Sequence, residues 1–151
     1  SDGVFQRNPE SNVFYLLLSA FRQLGAIPAH SAGEKVDLMP IDICARQVLA
    51  LKDRGSRIYH IMHSDPPVLA EVMQALDPDI AIVDDAAFAR VLAEKAPQMN
   101  PELAALLMDH WHRSKVNPPV ITVSNDLTQE HLRQAGFTQE IPAPEQILSA
   151  F

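Results

Sequence analysis

Val13-Phe14-Tyr15-Leu16-Leu17-Leu18-Ser19-Ala20-Phe21-Arg22-Gln23-Leu24-Gly25-Ala26-Ile27-Pro28 is the stretch that decides the fold class. Its apolar residues recur at helical spacing and cover a wide stripe, which predicts a well-buried helix. Asn8 is placed to cap it and Pro9 to occupy its first turn. Gly25 suits the left-handed residue after the helix, and Pro28 follows.

Outward from there, helical stripes alternate with short β-rich runs. Val36-Asp37-Leu38-Met39 predicts a strand, and Asp42 is placed to cap a helix bearing Ile43, Ala45, Val48, Leu49 and Leu51, which Gly55 closes. Arg57 to Met62 reads as a second strand, with Ile58, His60 and Met62 on one face. Pro66-Pro67 opens a helix that stops at Asp77-Pro78. Ile80 to Val83 predicts a strand, Asp84-Asp85 the cap of a helix ending before Pro97, and Asn100-Pro101 the start of another lined by Leu103, Leu106, Leu107, His110 and Trp111. Val120 to Val123 predicts a last strand, Ser124-Asn125-Asp126 the cap of a helix over 127–135, and Pro144 a final helical turn. The expected class is α/β, helix-rich with short strands, in one unit over 1–151 without an internal boundary.

Composition excludes several functions. The 151 residues carry 12 Lys+Arg against 19 Asp+Glu, a net charge of −7, which argues against nucleic acid and anionic membrane as partners. One cysteine rules out an internal disulfide framework, and no apolar run reaches a membrane span, so a cytoplasmic location is the expectation. The 5 glycines stand at 3, 25, 33, 55 and 136, a spacing that can spell neither GxGxxG nor a P-loop.

No complete active site is written in the residues. His60 and His63 fall on opposite faces of a strand, and His110 and His112 diverge around a helix, so neither pair predicts a metal. The plainer expectation is that His60 and His110 are part-buried and hydrogen-bonded. Cys44, near a helix start, has the placement of an activated thiol but the neighbours of a small core residue. A GxSxG elbow is absent, and the fourth residue after Tyr15 or Tyr59 is Ser19 or His63 rather than lysine.

A resemblance goes further. Ser1-Asp2-Gly3-Val4-Phe5-Gln6-Arg7-Asn8, then Asn12 to Leu18, then Leu24 to Pro28, resembles the DGxFQxN, NxFYxLL and LGxxP segments of thioester reductases, the terminal reductase domains of nonribosomal peptide and polyketide synthetases, grouped with carboxylic acid reductases. Val36 to Asp42 resembles their VDLTPVD element, with Met39 in place of Thr; Tyr59-His60-Ile61 and Leu132 to Phe137 resemble later elements. The resemblance implies the C-terminal, substrate-binding portion of an extended short-chain dehydrogenase, with the Rossmann core absent from this chain. The complete reductase would use NADPH to release an acyl or peptidyl thioester from a carrier protein with its phosphopantetheine arm, as aldehyde or alcohol. Neither the cofactor loop nor the Tyr-x-x-x-Lys pair is in this sequence, so no catalytic residue and no NADPH binding are expected of this chain alone. Its partners would be the carrier protein and the missing N-terminal Rossmann part, and the apolar surface facing that part is expected to invite self-association.

By the same resemblance Phe5, Gln6, Asn8, Asn12 and Tyr15 line the substrate side. For Asn8 the alternative is helix capping, for Tyr15 and Phe14 core packing, and for Asp42 a cap rather than a ligand contact. Carriers are acidic, so the more basic first 60 residues are expected to dock them, with Arg22 and Arg46 in contact. A second reading is a non-catalytic module recognising carrier protein or acyl-phosphopantetheine. A third is an unrelated small enzyme built on His60, His63 or Cys44.

Overall fold

A computed structural model describes residues 11–55, 58–115, 123–138 and 140–148. The described residues form a helix-rich α/β fold. In chain order they are α1 (Val13–Leu24), β1 (Ala26–Pro28), α2 (Ile41–Leu51), α3 (Leu69–Leu76), β2 (Ala81–Val83), α4 (Asp85–Lys95), α5 (Pro101–Lys115), α6 (Asp126–Gln134) and α7 (Pro144–Leu148), with a 3₁₀ turn at Ala96–Gln98. Strands β1 and β2 pair in parallel, Ala26 to Ala81, Ile27 to Ile82 and Pro28 to Val83. None of the described helices is long and apolar enough to cross a membrane.

The seven helices among the described residues stand where the apolar stripes place them, and several are bounded by the expected signals. Asp84 accepts from the Ala87 N–H at 2.7 Å and Asn100 from Glu102 at 2.8 Å. Gly25 takes a left-handed φ of 74°, and its N–H closes back on Phe21 and Arg22. Two caps differ from expectation. Asn8 and Pro9 lie outside the described residues; the observed cap of α1 is Asn12, whose side-chain oxygen accepts from the Tyr15 N–H at 3.1 Å. Helix α2 starts after Pro40, and Asp42 sits one residue inside it, where its charge favours the helix dipole without capping.

The strands were harder to read. Ile80 to Val83 gives β2, but Val36 to Met39 forms no strand. The residue before it makes one antiparallel bridge, Lys35 with Val68, flanked by Val36 N–H to Pro67 C=O and Leu69 N–H to Glu34 C=O, both 2.8 Å. Pro66 and Pro67 have no N–H to give, so the ladder cannot extend past them. Residues 58–62 are also not a strand. Their polar groups go to α6 and its approach: the His60 N–H donates to Thr128 Oγ1 at 3.0 Å, and Asn125 Nδ2 donates to the Met62 carbonyl at 3.2 Å. The strand expected at Val120 to Val123 falls outside the described residues up to position 122. Conversely, Ala26–Pro28 pairs as β1, where the sequence predicts no strand.

The core is built on α1. Leu18, Ala20, Phe21 and Leu24 are fully buried and meet Ile27, Val72, Met73, Phe88 and Leu107. Phe21 is central: its ring lies 6.4 Å from that of Phe88 and edge-on to His110 at 5.6 Å. Helix α2 turns Ile43, Gln47 and Leu51 inward rather than its whole expected stripe. Val48 and Leu49 are 53% and 64% exposed, and Ile41 82%.

Candidate functional site

Two features gather chemistry. The first is a cavity of about 280 Å³ between α1, residues 34–37, the start of α3 and α5. Phe14, Leu17, Val36 and Leu69 give it apolar walls; Glu34, Lys35, Asp37 and His110 complete the lining. Helical spacing brings Phe14 and Leu17 to one side of α1. The Lys35–Val68 bridge holds Val36 and Leu69 opposite them. His110 belongs to the helix that packs most extensively on α1.

His110 departs from expectation. It is part-buried, but its Nε2 is enclosed without a hydrogen-bond partner. Burial holds its pKa below the usual imidazole value, with Glu34 and Asp109 pulling upward and His30 downward. The folded chain therefore prefers neutral His110. The stability this contributes is complete above the unfolded pKa of about 6.5 and is lost as pH falls below it. Urea titrations at pH 7.5 and pH 5.5 should show a smaller acid loss for His110→Phe than for the parent chain; equal losses would mean that His110 does not carry the linkage.

The second feature lies at the carboxyl ends of the two strands. His30 follows β1 and Asp85 follows β2. His30 Nδ1 meets Asp85 Oδ1 at 2.6 Å and Nε2 meets Ser114 Oγ at 2.7 Å. An ionised carboxylate only accepts, so it fixes the proton on Nδ1. The hydrogen bond from His30 holds the Asp85 carboxyl below its usual range, helped by Lys115 at 3.5 Å. The residue types are those of a hydrolytic triad, but the Ser114 hydroxyl also donates to the Trp111 carbonyl at 3.2 Å, so its proton has a backbone destination. The cluster joins the turn after β1 to the start of α4 and the end of α5. Sequence reading missed it because positions 30, 85 and 114 share no local motif.

Among the residues singled out from the sequence, Phe5, Gln6 and Asn8 lie outside the described residues. Asn12 spends its carboxamide oxygen on the α1 cap. Tyr15, half-buried, shares a surface hollow with Ser19, Arg22 and Gln23, so two of the named residues, Tyr15 and Arg22, come together on one side of α1. Arg46 lies on another helix, paired with Asp42 at 3.9 Å. Cys44 is not activated: burial first, then Asp37 and Asp42, push its thiol pKa up. Among the described residues no group of histidine, cysteine or carboxylate side chains could hold a metal, and His60 instead pairs its Nδ1 with the Ser124 carbonyl at 3.1 Å.

No protein-family model matches the chain, and no curated protein matches it. Among solved structures it is similar to a thiolation-reductase di-domain from an archaeal non-ribosomal peptide synthetase, with 26% identity and a TM-score of 0.78. The likeness covers 97% of this chain and 31% of that one, so the chain has the fold of about a third of the di-domain protein.

Proposed function

We propose that this chain is the substrate-binding, carrier-docking portion of an NADPH-dependent thioester reductase of the extended short-chain dehydrogenase type, one that releases a carrier-bound acyl or peptidyl thioester as aldehyde or alcohol. The observation that carries this is the likeness over 97% of the chain to a protein that joins a thiolation domain to a reductase. The order of segments resembling reductase elements, from Asp2-Gly3 to Gly136-Phe137, supports it independently.

The described glycines shape no nucleotide cradle. A Cβ added at Gly33, Gly55 or Gly136 would meet nothing within 4 Å, so none of these glycines makes room for a close ligand or backbone. Cofactor and catalytic Tyr and Lys are therefore assigned to a part of the reductase outside this sequence, and no chemical step to residues of this one. This chain's contribution is to bind and orient. The exposed apolar residues of α2, Ile41, Val48 and Leu49, suit a face covered by another part of the protein.

For docking, the Tyr15–Arg22 side of α1 is favoured over Arg46, whose charge is shared with Asp42. A carrier domain rich in carboxylates would meet Arg22 at the rim of the contact, where charge governs encounter. In the complete reductase at low salt, Arg22→Glu should slow reduction of a carrier-bound thioester about threefold to tenfold. The rate with the same acyl group on N-acetylcysteamine should stay unchanged. Equal rates for parent and variant on the carrier-bound substrate would remove Arg22 from the docking face, and absence of thioester reduction by the complete protein would overturn the reductase reading.

A further inference from the structure

We propose that His30, Asp85 and Ser114 form a pH-sensitive clasp that ties the end of α5 to the carboxyl ends of both strands, complete while the His30 ring is charged and one hydrogen bond short once it is neutral. Such a clasp is independent of the reductase reading.

The protons along this chain of contacts can be counted. His30 Nδ1 lies 2.6 Å from Asp85 Oδ1 and its Nε2 lies 2.7 Å from Ser114 Oγ, whose hydroxyl donates to the Trp111 carbonyl at 3.2 Å. A charged imidazole donates from both nitrogens, and a hydroxyl has one proton to give and lone pairs to receive. With the ring charged, Nδ1–H meets the carboxylate and Nε2–H meets Ser114 Oγ. The Ser114 proton is then left for Trp111, and each of the three contacts holds one proton.

With the ring neutral, Asp85 keeps the proton on Nδ1 and Nε2 becomes an acceptor. Ser114 now has a single proton for two acceptors, Nε2 and the Trp111 carbonyl. One contact is given up, and the group it leaves turns to water. The remaining bond to Asp85 is weakened as well, because its donor no longer carries charge. Histidine changes charge between about pH 5 and 8, so the clasp tightens in acid and loosens as pH rises through the titration of the ring.

The neighbouring charges leave this arrangement intact. Lys115 reaches the other carboxylate oxygen, Asp85 Oδ2, at 3.5 Å, and its Nζ sits 3.8 Å from the centre of the Trp111 ring. Asp84, beside Asp85, is occupied in capping α4. His112 lies against Trp111, with 5.2 Å between ring centres. His110, about one turn before Ser114, feels the charge of His30 and is drawn the other way by Glu34 in the loop after β1. The two imidazoles respond oppositely: acid completes the clasp at His30 and disfavours the folded state at the part-buried His110.

The test follows the 151-residue chain by NMR at about pH 5.5 and pH 8. Ring nitrogen resonances of His30 report its charge. Amide-exchange protection at Ser114 and Lys115, corrected for the intrinsic effect of pH, reports the last turn of α5. Relative to amides of α1, that protection should fall about twofold to fivefold as His30 loses its charge.

His30→Gln should remove the dependence on pH. Ser114→Ala, which keeps the His30–Asp85 contact and breaks the relay to Trp111, should cut it by about half or more; an ion pair acting alone would leave it whole. His110→Phe and His112→Gln should each leave the fall in place. Equal protection at both pH values although the His30 ring has titrated would overturn the clasp, as would an undiminished fall in His30→Gln or Ser114→Ala.

Discussion

Phe21→Ala is expected to lower the stability of the chain by about 3–5 kcal/mol. The Phe21 ring is fully buried, tilted against Phe88 of α4 and edge-on to His110 of α5. Truncation removes the shared contact of three helices at once. Helices α1 and α5 form the largest helix pair in the described core, so the surroundings have little freedom to collapse into the space left behind. Against a total of about 5–15 kcal/mol for a domain, the loss takes a large share. In urea it should appear as a midpoint lowered by about 1–3 M with an unchanged slope. A loss under about 1 kcal/mol would mean that Phe21 is not the packing centre.

Thr128→Val is expected to cost about 1–3 kcal/mol although it leaves the volume nearly unchanged. Thr128 is buried on α6, and its hydroxyl accepts the His60 N–H at 3.0 Å. The valine methyl cannot accept, so an amide in a part-buried segment loses its partner. The effect should be local as well as global. Residues 58–63 are held by side chains rather than by a ladder, and hydrogen exchange at His60 should accelerate more in the variant than exchange in α1. Thr128→Ser, which keeps the hydroxyl, should restore slow exchange at His60. Slow exchange at His60 in Thr128→Val would show that the segment is fixed by other contacts.

These two positions mark how far the sequence could be read. Phe21 was legible because α1 declares itself: a dense stripe at helical spacing ends on a glycine whose left-handed backbone was foreseeable. Every described helix has such a local signal, in stripe, cap or proline. The role of Thr128 was not legible. Ile58 to Met62 has strand-forming residues, yet a strand needs a partner, and the neighbour that folding supplies is the start of a helix. Val36 to Met39 failed for a related reason, since its partner segment carries two prolines. In β1 the reverse held: three residues ending in proline give no local sign that a strand far along the chain will pair with them.

The candidate site divides the same way. Phe14 and Tyr15 could be named from their motif, whereas the cavity that includes Phe14 also needs Val36, Leu69 and His110, which only tertiary packing brings together. The orphaned nitrogen of His110 could not be anticipated, because a helix stripe shows which face is buried and not what each buried polar atom will meet.

The parallel pairing of Ala26 with Ala81 sets an order of events. Helices α2 and α3 lie between the two strands in sequence, so closing the pair means closing a loop that contains them. Such non-local contacts raise contact order and slow folding, while the helices can form early from neighbours in sequence. During synthesis, β1 must wait on the ribosome until Val83 has emerged, and the buried side of α1 waits longer, for Phe88 and Leu107. The stretch that declares the fold first in the sequence is thus among the last to be fully covered.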